Sequence, residues 1–256
     1  MIYKFFWCRD ETYTYYKVSG EKIMGRTGQK LLTIIMGGLL VISMFFVGRE
    51  AAKYASGNNV RVKEMCVVID AGHGGDDPGK IGINNALEKD INLEIAFLVK
   101  GYLEQNNVKV IMTRESDAGL YDSNASNKKV QDMKRRIAII EEAKPAVTVS
   151  IHQNSYPEEY VHGAQVFYYN GSKEGQQLAE YIQGQFVEKV DPENKRQIKA
   201  NDSYYLLKKT ARPIVIVECG FLSNREEAEK LCQKTYQEKV AWAIHMGILQ
   251  YLSENS

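Results

Sequence analysis

Residues 213–220 read PIVIVECG, and this stretch decides the fold. Ile214, Val215, Ile216 and Val217 are apolar at every position, with none of the polar alternation of a strand that faces water on one side. A short β-branched run of this kind belongs to a strand covered on both faces, as in a sheet sandwiched by helices. Working outward, residues 66–70 (CVVID) form a second buried strand closed by Ala71 and Gly72. Further strands are read at 108–113, 146–151 and 163–169. Between them Leu87, Ile91, Ile95, Leu98, Val99 and Tyr102 recur at helical spacing, which predicts an amphipathic helix over 88–105. Val130, Met133, Ile137 and Ile140 mark another over 128–142, and a third covers 173–189. Ser223-x-x-Glu226 has the form of a capping box opening a helix. Val240, Ile244, Ile248, Leu249 and Leu252 line a last one. Strands alternating with helices predict an α/β domain over 64–256, a twisted and mainly parallel sheet flanked by helices. In such sheets, sites gather at strand ends.

The front of the chain differs. Residues 31–47 (LLTIIMGGLLVISMFFV) carry no charge and are preceded by Arg26 and Lys30. That length and flank suit a short single-pass membrane anchor, or the core of a signal segment, with the domain placed outside the cytoplasm. No small-x-small cleavage site follows cleanly, which favours an uncleaved anchor. Residues 1–30 then stay cytoplasmic, and Met24 is the expected natural start, since 1–23 resemble no targeting segment. Residues 48–63 read as a polar linker.

Composition narrows the function. The 256 residues hold 33 basic and 32 acidic side chains, a net charge of +1. That balance lacks the concentrated basic excess of a nucleic-acid binder. The four cysteines, Cys8, Cys66, Cys219 and Cys232, form no CxxC pair, so cysteine metal ligation is not expected.

The chemistry-bearing groups stand at element ends. His73 follows the first strand in IDAGHGGDDPG, His152 ends the third in VSIHQNS, and Glu218 lies near the end of the most apolar strand. Glu88 opens the first helix of the domain. A catalytic zinc takes about three protein ligands, commonly two histidines and a carboxylate, and leaves a position for water. It also needs a nearby base. Two histidines and two glutamates meet both demands without fixing which glutamate does which. By themselves these residues are equally a set of hydrogen-bonded structural groups.

IDAGHGGDDPG, LEKDINLEIA, VIMTRESD, VSIHQNS, GAQVFYY and VECGFLSN occur in the order and spacing of the zinc-dependent N-acetylmuramoyl-L-alanine amidases, and the chain resembles that family from about residue 67 to 252. The resemblance implies one Zn2+ held by His73, Glu88 and His152, with Glu218 as the carboxylate that activates water. The implied substrate is peptidoglycan, cut between N-acetylmuramic acid and L-alanine. Anchor, linker and catalytic domain fill the sequence, a layout similar to that of sporulation amidases acting in spore-cortex muramic-δ-lactam formation, within the spore intermembrane space. The alternatives are a vegetative remodelling or cell-separation amidase, a zinc peptidase acting on the stem peptide, and a non-catalytic wall-binding protein. An activator protein is a further expected partner.

Weaker expectations attach to other residues. Asn154 and Arg114 are candidate substrate contacts, and Asp70 is a candidate orienting partner for a zinc-binding imidazole, or else a loop cap. Asp76 and Asp77 read as solvated turn residues. Lys128, Lys129, Lys134, Arg135 and Arg136 form a basic cluster, either a solvated face or a contact for peptide carboxylates.

Overall fold

The computed structural model describes residues 26–57 and 65–255. The chain divides into two compact units, residues 1–62 and 63–256. The expected start at Met24 lies outside the described residues. In the first unit a single helix, α1 (Arg26–Gly57), carries the apolar run. It continues through 48–57, where the sequence had suggested linker, because Glu50, Ala51, Ala52 and Lys53 are good helix formers. The rest of the expected linker, 58–63, lies outside the described residues. Among the described residues no helix is long and apolar enough to cross a membrane. Side chains of α1 are described at Lys30 and over 34–48, and eleven large apolar ones between Ile34 and Val47 are 50–70% exposed.

The second unit is a six-stranded sheet between two layers of helices. Its elements are β1 (Cys66–Ala71), α2 (Glu88–Gln105), β2 (Lys109–Met112), α3 (Lys128–Ala143), β3 (Val147–Asn154), β4 (Gln165–Tyr169), α4 (Lys173–Gln185), β5 (Lys199–Asn201), α5 (Tyr205–Lys209), β6 (Ile214–Phe221), α6 (Arg225–Leu231) and α7 (Lys234–Glu254). The strand order is β2-β1-β3-β6-β4-β5. All neighbours are parallel except β4 and β6, which are antiparallel, so the sheet is mixed rather than purely parallel.

Every residue of β6 is buried, as PIVIVECG requires. On one face Val67, Ile69, Val149, Ile151, Val215 and Val217 pack with Ile95 and Val99 of α2, Leu178 and Ile182 of α4, and Ile244 and Ile248 of α7. On the other, Val68, Phe167, Ile214 and Ile216 meet Ile140 of α3 and Leu206 and Leu207 of α5. Burying each such side chain contributes roughly 1.5–3 kcal/mol. The alternation of β1 thus sends Val68 and Asp70 toward α3, and Ile69 and Ala71 toward α2.

Two local expectations are corrected. The α-helix expected over 173–189 ends at Gln185 and passes into one π-helical turn, Phe186–Val190, with Phe186 buried. The cap of α6 falls one residue later than the sequence motif suggested: Asn224 Oδ1 accepts from Glu227 N at 2.9 Å. Glu227 is then free to turn inward, where its carboxylate accepts from Phe221 N (2.8 Å) and Gly163 N (2.9 Å), two buried donors that outcompete a solvated box. In addition, β5 and α5 are elements too short to have shown a period in the sequence.

Candidate metal centre

The parallel strands β1, β3 and β6 end on the same side of the sheet, and the polar groups cluster there. His73 stands two residues past β1 in the left-handed region (φ 63°). His152 is on β3 and is paired in register with Glu218 on β6. Beyond that pair the register shifts, so that Asn154 aligns with Phe221, and Cys219 and Gly220 together face Gln153. Glu88 begins α2.

Metal-ligating atoms of His73, Glu88 and His152 all lie within 4.8 Å of one another. Glu88 Oε1 is 3.0 Å from His152 Nδ1 and 3.2 Å from His73 Nε2. The same carboxylate accepts from Gln153 N at 3.0 Å and, through Oε2, from Lys80 N at 2.7 Å. Burial works to raise the Glu88 carboxyl, but the His152 and His73 imidazoles outweigh it and hold the group ionised far below the ordinary carboxylate range. For His73, burial disfavours the charged ring, yet Glu88 and then Asp77 outweigh it and raise its pKa. Two imidazoles converging on one buried carboxylate oxygen make a pocket suited to a cation. The set of two nitrogens and one oxygen donor is one that a borderline-soft divalent ion such as zinc accepts.

The surroundings leave no slack. A Cβ on Gly72 would lie 2.3–2.7 Å from three atoms of the His152 ring, so only glycine lets that ring sit against β1. Gly79 adopts φ +68°, and a Cβ there would come within 2.5 Å of Glu88 Oε2.

Glu218 is 7% exposed and borders the same cavity as His73 and His152. Its Oε1 is 3.5 Å from Tyr204 Oη, while Oε2 is buried and has no hydrogen-bond partner among the described residues. Burial, reinforced by the charge of Glu88, pushes its carboxyl up to about 7 against the opposing pull of the two imidazoles. Burial likewise lifts Tyr204 to about 12, so it remains a phenol and a donor. A buried carboxylate with one oxygen unengaged, beside a cation pocket, is equipped to take and return a proton.

The weaker expectations fare differently. Asp70 does not orient an imidazole: it accepts from Ser150 Oγ (2.5 Å), Thr113 Oγ1 (2.7 Å) and Arg136 (2.7 Å), because β1 aims it at α3. The orienting carboxylate is Asp77, whose Oδ2 is 2.8 Å from His73 Nδ1. Nothing local distinguished Asp77 from Asp76, which is exposed and paired with Lys128 at 2.6 Å. Arg114 is not placed to meet substrate: it is buried and donates to the carbonyls of Ala71, Gly72, Lys89 and Ser116, bracing the loop that carries His73. Asn154 Oδ1 accepts from Ser155 N at 2.8 Å, the role of a turn residue. Arg136, read within a basic cluster, is only 2% exposed and donates to Asp70, Asp132, Ala71 O and His73 O.

A mixed α/β sheet with a His-Glu-His group able to hold a metal ion, and a buried carboxylate beside it at the strand ends, has the arrangement that a metal-dependent hydrolase requires. Residues 67–250 match the N-acetylmuramoyl-L-alanine amidase family throughout, and the chain belongs to it. It is 35% identical over 235 residues to the germination-specific N-acetylmuramoyl-L-alanine amidase of Bacillus subtilis, covering 88% of this chain and 95% of that one. Among solved structures, the CwlD amidase of Clostridioides difficile, determined in complex with the GerS lipoprotein, is 40% identical with a TM-score of 0.72, covering 74% of this chain and 99% of that chain. The amidase AmiC2 of Nostoc punctiforme is 34% identical with a TM-score of 0.64, covering 74% of this chain and 98% of that chain.

Proposed function

We propose that the chain hydrolyses the amide between N-acetylmuramic acid and L-alanine in peptidoglycan, and that it does so in the spore cortex. The convergence of His73 and His152 on Glu88 beside the unengaged Glu218 Oε2 carries the reading. In it His73, Glu88 and His152 would hold one zinc ion. Zinc held there would supply Lewis acidity toward a bound water and the scissile carbonyl. Glu218 Oε2 accepts the proton of the attacking water and delivers it to the departing alanine nitrogen, while Tyr204 donates toward Oε1 and keeps the carboxylate in place. Asp77 fixes the His73 ring so that Nε2 faces Glu88. The cortex role is supported by the coverage and identity of the germination-specific relative.

The test is product analysis by mass spectrometry after digestion of purified peptidoglycan by the full-length protein. Stem peptides with a free L-alanine amine, lost on chelation and regained with zinc, are expected. Cleavage inside the peptide instead would make the protein a peptidase.

The reading also places the enzyme outside the cytoplasm, held by α1. The support is the uncharged run 31–47 within α1 and the exposure of its described large apolar side chains between Ile34 and Val47, which call for an apolar covering. A partner at the outer membrane face fits the same picture, since the C. difficile relative was solved with a lipoprotein. The full-length protein is expected to sediment with membranes after a carbonate wash. Recovery in the soluble fraction would remove the anchor from the proposal.

A further inference from the structure

The five clustered basic residues of 128–136 do not act alike in the folded chain. Lys128 pairs with Asp76, Arg135 with Asp122, and Arg136 is consumed by its buried contacts. Lys134 is exposed and lies outside the cavity at the metal centre. Lys129 alone of the five is both without an ion pair among the described residues and at the wall of that cavity.

The cavity, about 160 Å3, runs from His73, His152 and Glu218 into the cleft between α3 and α5. Its lining there mixes the apolar Met133, Leu206 and Ile216 with Asp132 and the rings of Tyr204 and Tyr205. Lys129 stands on the α3 side, where its charge acts on Asp77, the carboxylate that orients His73.

The substrate is electrically lopsided. In the glycan strand the lactyl carboxyl of muramic acid is spent in the scissile amide, which leaves neutral hydroxyl and acetamido groups. The stem peptide keeps free carboxylates. An unpaired ammonium beside the reacting centre therefore distinguishes the two halves, since only the anionic one can meet it as an ion pair.

We propose that the cleft between α3 and α5 receives the stem peptide, with Lys129 binding a free carboxylate on the residue after L-alanine. This rests on the amidase reading above and adds to it a direction of binding and a preference for acidic stem peptides.

The experiment compares two soluble muropeptides that differ only at the second stem residue, one with a free α-carboxylate and one with that group amidated. Each is offered to the wild-type protein, Lys129→Met and Lys129→Glu. Wild type is expected to favour the free carboxylate by about 10-fold in kcat/KM, the worth of one charge-assisted hydrogen bond, expressed mainly in KM. Lys129→Met is expected to lose that preference, and Lys129→Glu to reverse it. Equal discrimination by wild type and Lys129→Met overturns the inference, as does equal use of both substrates by wild type. If wild type cleaves neither substrate at this amide, the amidase reading itself falls.

Discussion

Glu218→Gln is expected to lower kcat by at least about 1000-fold, within the range spanned by the loss of general acid–base catalysis, while zinc content stays the same. The substitution keeps size and shape and removes only the ability to hold a proton at Oε2. The same variant gives a second, independent result in metal-free protein. The Glu218 carboxyl titrates at about 7 when folded against 4.5 in an exposed chain. Between those values the unfolded chain has already lost its proton while the folded one keeps it, so folding stability declines as pH rises from 4.5 to 7. The total decline from this group is about 3 kcal/mol. The amide that replaces the carboxyl cannot ionise, so the variant matches wild type near pH 4 and exceeds it by about that amount at pH 8. Urea melts of the two metal-free proteins at both pH values measure it. A variant that retains activity would move the base elsewhere, and one with no pH-dependent gain would mean that Glu218 is solvated.

The other large effect is expected at Arg136, which has no part in proton transfer. Its guanidinium lies 2.7 Å from Asp70, from Ala71 O and from His73 O, all buried or partly buried. Arg136→Met strands the Asp70 carboxylate and two carbonyls, and breaking a buried pair from one side costs about 3–5 kcal/mol. In a domain of this size that lowers Tm by roughly 10 °C. Zinc affinity falls as well, since the backbone of His73 loses its hold. Asp70→Asn combined with Arg136→Met recovers part of the stability, because no unpaired charge remains. Asp70 adds a pH signature. Burial alone raises its carboxyl, but Arg136, Ser150 and Thr113 outweigh that and hold it at about 2, below the ordinary 3.8. Its contribution, about 2 kcal/mol, is complete above 3.8 and is lost as pH falls through 2. Arg136→Met abolishes this acid limb. A calorimetric melt unchanged by Arg136→Met would sink the account.

Where the sequence succeeded and failed follows from what is local. β1, β3 and β6 announced themselves as apolar runs, and the helices by their period, because burial on one or two faces leaves a mark on every residue. His73, Glu88, His152 and Glu218 stood out as polar groups interrupting those runs at their ends, and the fold does bring the first three within reach of one ion. Arg136 was illegible for the opposite reason. Its partner Asp70 is 66 positions away, and a basic neighbourhood on a helix looks the same whether the side chain turns to water or to the core. Asp77 took the orienting part expected of Asp70, whose own role depended on which helix lies over its face of β1. Tyr204 reaches Glu218 from a connection whose strand and helix are too short to have a pattern.

The shift of register between β3 and β6 gives chain length a functional meaning at one point. With two residues of β6 facing Gln153, the Gln153 amide donates to Glu88 instead of continuing the ladder. Removing one residue at Cys219 or Gly220 would let the ladder close, draw that amide back into the sheet and release the carboxylate on which both imidazoles converge. Loops away from the pocket can lengthen or shrink at little cost, but the interval from Glu218 to Phe221 cannot. A gap at this place in a related sequence is therefore expected to loosen the pocket formed by the two imidazoles and Glu88, even where His73, Glu88 and His152 are all matched.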